Sequence, residues 1–133
     1  MKKLFILFMV ISFALVGCSD SEKTAKQNGS GISVEIGDND NIRYLNLTLY
    51  VDGLFWGSEE VISEENESFQ NQGIFWFNTP TFQNIDVEIE LIYSENMDGT
   101  NSQITNKIDI TQAKKWVNIK LNDELQLEIL EFK

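Results

Sequence analysis

The chain has 133 residues, with ten basic side chains against twenty-one acidic ones (a formal charge of −11), one cysteine and no histidine. Without histidine, the Ser-His-Asp and Cys-His nucleophile arrangements are excluded, and so are the usual zinc sites. The acidity disfavours nucleic-acid phosphates and flat adsorption on anionic lipid, and it favours a cationic partner or a divalent metal. Keeping an exported domain in solution is an equally sufficient use for it.

Lys2 and Lys3 precede an apolar run from Leu4 to Val16, the positive start and greasy core of a secretory signal. A bilayer span needs about 20 apolar residues, so a permanent transmembrane helix is not expected. The run closes on Leu15-Val16-Gly17-Cys18, which resembles the lipobox of bacterial lipoproteins. That resemblance, carried by residues 1–18, implies that residues 1–17 are removed and that Cys18 is lipidated through its sulfur. It also implies residence in the cell envelope. Ser19, where an Asp commonly retains such proteins at the inner membrane, favours the outer membrane of a Gram-negative host. The run Ser19-Asp20-Ser21-Glu22 is loosely similar to the surface-export signals of certain lipoproteins. One acyl chain anchors only marginally, whereas two or three hold stably. A lipidated Cys18 leaves no thiol for an internal disulfide, so the domain must stand on packing alone. Removal of Lys2 and Lys3 takes the charge from −11 to −13.

After the cysteine, "SDSEKTAKQNGSG" contains almost nothing apolar. Residues 18–31 are therefore expected to be a lipidated cysteine and flexible tether, reaching about 40 Å when extended and roughly 20 Å as a coil. From residue 32 to 133 the apolar period is two. Ile32/Val34/Ile36 begin the pattern. Leu45, Leu47, Leu49 and Val51 then share one face, opposite Tyr44, Asn46, Thr48 and Tyr50. Asp52-Gly53 is a two-residue hairpin signal, because a type I′ turn needs positive φ. Leu54-Phe55-Trp56-Gly57 and Ile74-Phe75-Trp76-Phe77 follow, then Ile85/Val87/Ile89/Leu91 alternating with acids, the polar loop 95–102, and Ile108/Ile110. Val117/Ile119/Leu121 and Leu125/Leu127/Ile129 flank a second turn at Asn122-Asp123. No segment carries helical periodicity over three turns. Seven or eight such strands predict a single all-β antiparallel β-sandwich, immunoglobulin-like or transthyretin-like.

Three sets of side chains are candidates for function. Carboxylates alternate along every outer face without a distinguished pair, so enzymatic activity is not expected. Asp38 and Asp40, with the amide oxygens of Asn39 and Asn41, occupy one loop and could supply part of a calcium shell; Asn96, Asp98 and Asn101 form a second such cluster. Turns also favour these residues for backbone reasons alone, and no cofactor beyond calcium is suggested. Adjacent aromatics on a strand point to opposite faces. Phe55, Trp56 and Trp76 therefore become candidates for binding a partner protein or, alternatively, a glycan. The opposite possibility is a strand covered on both sides, and Trp116 poses the same question. The resulting expectation is a non-enzymatic, lipid-anchored module that binds another envelope or extracellular protein, in an assembly, accessory or inhibitory role. The alternative is a surface carbohydrate-binding module using exposed tryptophans.

Overall fold

The structure is a computed structural model that describes residues 24–39, 41–65, 67–69, 73–78 and 85–133. The signal segment, Cys18, Asp40 and Pro80 lie outside the described residues. One short helix, α1 (Ala25–Asn28), precedes the strands β1 (Gly31–Glu35), β2 (Tyr44–Val51), β3 (Leu54–Ile62), β4 (Ile74–Phe77) and β5 (Val87–Ser94). The last four are β6 (Gln103–Ile104), β7 (Ile108–Asp109), β8 (Trp116–Leu121) and β9 (Leu127–Phe132).

The strands form two sheets packed face to face, an all-β sandwich. One has the order β4-β1-β8-β9; the other runs β3-β2-β5-β6, with β7 also paired to β5. The apolar alternation is what drives this. Ile32, Val34, Phe75, Phe77, Val117, Ile119 and Leu121 from the first sheet meet Leu45, Leu47, Leu49, Val87, Ile89 and Leu91 from the second, all buried. Phe69 closes the core edge-on against Phe75, with ring centroids 4.8 Å apart.

The described strands number nine rather than seven or eight because one edge is interrupted. Between β6 and β7, Thr105 takes over the ladder with its side chain: its Oγ1 accepts from the Leu91 N–H at 3.0 Å while its own N–H donates to Leu91 at 2.9 Å. The pairing is also not wholly antiparallel, since β1 and β8 run parallel in register Gly31↔Trp116 to Glu35↔Lys120. An immunoglobulin sandwich puts its first, second, fourth and fifth strands in one sheet. Here the first and fourth are separated from the second and fifth, so of the two expected arrangements the transthyretin-like one remains.

Residues 24–31, expected to belong to the tether, are part of the domain. Thr24 caps α1 by accepting from the Gln27 N–H, and the Gln27 side chain returns to the Thr24 N–H. This reciprocal capping box satisfies two N–H groups that a short helix otherwise leaves open. Ala25 is fully buried against β8. Gly31 then enters β1 at φ 88°, where an added Cβ would stand 2.4 Å from the Phe77 carbonyl oxygen and 2.7 Å from Trp76 Nε1. Only glycine fits that conformation and that gap.

Candidate functional site

The register defines two ends of the sandwich. At one, the Tyr44 start of β2 lies beside Ser94 and Ile62, and the β1–β2, β5–β6 and β8–β9 connections meet. At the other, Val51 lies beside Val87 and Leu54. Ile110 donates there to the Val87 carbonyl at 2.8 Å, and five residues later the chain enters β8 beside Gly31. Lys114 and Lys115 donate to the Lys133 carbonyl at the same end.

The first end holds a cleft of about 580 Å³, within the size range of small-ligand sites. Its walls come from Asp38, Asn39, Asn41 and Ile42 of the first connection, from Tyr93, Ser94, Glu95, Asn96, Asn101 and Gln103 of the second, and from Leu125 of the third. The two Asn/Asp clusters, 55 residues apart between Asn41 and Asn96, therefore converge on one site. Asp98 does not line the cleft. Its Oδ1 accepts from Thr100 N at 3.0 Å and Oγ1 at 2.7 Å, and these donors hold its carboxyl below the usual range. Among the described residues no group of three or more histidine, cysteine or carboxylate side chains is placed to hold a metal.

What the cleft offers is hydrogen-bond acceptors. Asn39 directs Nδ2 at the carbonyls of Ile36, Leu121 and Asn122 (2.6, 3.3 and 3.4 Å), which leaves its Oδ1 as the group it can present. Asn96 likewise commits Nδ2 to the Thr100 carbonyl at 3.0 Å. The buried Tyr93 hydroxyl gives its proton to Gln103 Oε1 at 2.8 Å and keeps its lone pairs. Burial also raises the pKa of that hydroxyl, so it stays protonated. Asp38 and Glu95 add two carboxylates, and among the described residues no Lys or Arg lines the wall. An acceptor-rich, negatively charged concavity suits a donor-rich cation such as an ammonium or guanidinium group. Glu95, Tyr93, Gln103 and Leu125 were not legible as site residues, because only long-range pairing, of β2 with β5 for the first three and of β1 with β8 for Leu125, brings them to the first loop.

At the opposite end, Asp52 (φ 50°) and Gly53 (φ 78°) make the turn expected of that dipeptide. Beyond it Leu49 pairs with Gly57 and Tyr50 with Phe55, so Trp56 is the extra residue of a β-bulge in β3. Such bulges re-aim side chains and twist an edge strand away from further pairing. Leu54, Phe55 and Trp56 are 74%, 66% and 59% exposed. Beneath them Tyr50 stacks edge-on to Phe55 (6.4 Å), carries Lys107 Nζ 3.6 Å above its ring, and donates to Glu90 Oε1. That bond to Glu90 raises the tyrosine pKa.

Trp76 does not join this group. It lies on the outer face of the other sheet, half-buried under the α1 segment, with Nε1–H donating to the Ser30 carbonyl at 2.7 Å. Trp116 shares that face, buried, with Lys26 Nζ 5.9 Å from its ring centre. The second set of aromatics is thus covered by the segment expected to be a tether. Trp56 and Trp76 therefore stand on different sheets. Comparison with protein-family models, with curated proteins and with solved structures finds no match.

Proposed function

We propose that this chain is a non-enzymatic lipoprotein of the bacterial cell envelope, held by lipid on Cys18 at the outer membrane, that binds a basic segment of another envelope or extracellular protein. The observation that carries the reading is the acceptor-rich cleft with Asp38 and Glu95 on its wall and, among the described residues, no Lys or Arg lining it. Around it, Glu64, Glu65 and Glu67 follow β3, and Asp123 and Glu124 occupy the β8–β9 turn. Arg43 sits among them with its guanidinium engaged by the Glu67 carbonyl and Met97 Sδ. A field of one sign speeds encounter with a basic partner and rejects an acidic one.

The test is affinity capture from host envelope extract on the lipidated chain, repeated with two charge-matched variants. Asp38→Asn/Glu95→Gln alters the cleft, and Glu59→Gln/Glu128→Gln removes the same charge from exposed strand positions. A stoichiometric protein retained by the wild type and the strand variant, lost from the cleft variant and released by salt, is expected. Equal retention by both variants overturns the assignment of the cleft.

A further inference from the structure

We propose that the β2–β3 hairpin, through Leu54, Phe55 and Trp56, docks into the interface of the same bilayer that holds the Cys18 lipid, turning the acidic cleft outward. The proposal rests on the lipid-anchored reading. Its first support is position. Cys18 precedes Thr24 by six residues, a reach of about 20 Å when fully extended. Thr24 leads into α1, which packs on β8 with Lys26 over Trp116, the residue that begins that strand. Trp116 belongs to the end of the sandwich that carries the hairpin. The eight residues of β2 separate that end from the cleft by about 27 Å. A lipid on Cys18 is thus within chain reach of the hairpin end.

Charge gives the second support. The net acidity that disfavours flat adsorption is unevenly distributed. At the cleft end carboxylates dominate, whereas the hairpin end sets Lys107, Lys114, Lys115 and Lys133 against Asp52, Asp86, Glu88 and Asp109, an even balance among the described residues. This end therefore meets an anionic bilayer surface with less repulsion than the cleft end. Asp52, at the turn itself, is drawn back toward the protein, where its Oδ1 accepts from the Asp86 N–H at 3.2 Å.

The side chains supply the third. Three consecutive large apolar residues in water are unfavourable on a monomer surface. Trp settles at the headgroup boundary, where its ring is dry and its indole N–H stays wet, and Phe and Leu are the apolar residues that interfacial segments bury beside it. The bulge at Trp56 re-aims the side chains of this stretch, and Phe55 rests edge-on against Tyr50 while the three stay exposed.

The experiment reconstitutes the purified lipidated protein in dioleoylphosphatidylcholine vesicles, with and without bromine on the acyl chains, and reads tryptophan emission. Mass spectrometry of the N-terminal peptide first establishes the acyl mass on Cys18. Wild type is expected to lose a component of emission in bromolipid, and Trp56→Phe to lose most of that bromolipid-dependent quenching. An indole introduced by Glu95→Trp in the Trp56→Phe background is expected to emit equally in both lipids. An acylated protein whose quenching is the same in wild type and Trp56→Phe overturns the docking alone. So does quenching at the Glu95→Trp indole as strong as at Trp56, and so does a Trp56 signal that answers only to an added envelope protein. An unmodified Cys18 overturns the anchored reading and the docking with it.

Discussion

Gly31→Ala is expected to be among the most damaging single-methyl additions in this domain, and the cost can be built from its surroundings. At φ 88° an alanine pays the left-handed strain, about 1–3 kcal/mol. Its Cβ would also meet the Phe77 carbonyl oxygen at 2.4 Å and Trp76 Nε1 at 2.7 Å. Backbone cannot yield cheaply there, so Trp76 must move and its bond to Ser30 breaks, a further 0.5–1.5 kcal/mol or so. A total of about 3 kcal/mol is a large part of the roughly 5–15 kcal/mol that a domain possesses. It corresponds to a fall in melting temperature on the order of 10–20 °C. Gly53→Ala is the internal control, because its φ is 78° but nothing lies within 4 Å of the added methyl. It bears the strain without the collision. Urea unfolding followed by circular dichroism should separate the two by about 1 kcal/mol, with red-shifted tryptophan emission in Gly31→Ala only. If Gly31→Ala is no worse than Gly53→Ala, the close packing of the α1 segment over Trp76 is wrong.

Thr24→Ala removes the cap of α1 and should cost about 0.5–2 kcal/mol while making Trp116 more accessible to acrylamide; unchanged quenching would count against α1 as its cover. Ile119→Ala, fully buried between the sheets, should cost about 2–5 kcal/mol in the same unfolding assay, and a loss under 1 kcal/mol would contradict the core. Because Asp98 has a lowered pKa in the folded protein, its contribution is present above the ordinary carboxylate pKa of about 3.9 and fades as pH falls through the lowered value. Thr100→Val removes one of its donors and should move the Asp98 carboxyl ¹³C titration midpoint upward, with a fixed midpoint refuting the assignment. Cys18→Ala should leave the protein unlipidated and absent from the membrane fraction; unchanged anchoring would refute the lipobox.

The strands were legible because each has one wet and one dry face: the alternation through Leu45, Leu47 and Leu49 sufficed to find β2 and its inward side. The hairpin at Asp52-Gly53 was legible for a local reason too, the need for positive φ. Pairing partners were not, because period-two patterns on different strands are interchangeable. Neither the parallel neighbour of β1 nor the meeting of Asp38 with Glu95 could be read from spacing. Trp76 was offered as a binding residue because the chain that covers it looked too polar to fold. Thr24 and Gln27, three apart and followed by Gly29, carried the capping-box signal that marks this segment as part of the domain. Phe55 and Trp56 were singled out with Trp76 from their places on the strands, whereas the bulge that re-aims Trp56 is revealed only by the register.

The central place of β1 has a consequence for how the chain becomes a protein. Ser33 donates to Asn118 at 2.6 Å across 85 residues of sequence, and β1 has β4 on one side and β8 on the other. Sheet closure therefore waits until nearly the whole polypeptide is present, and pairings of such high separation form slowly. The strand that locks the beginning of the chain is among the last to be made, so the topology couples closure of this sheet to completion of the polypeptide.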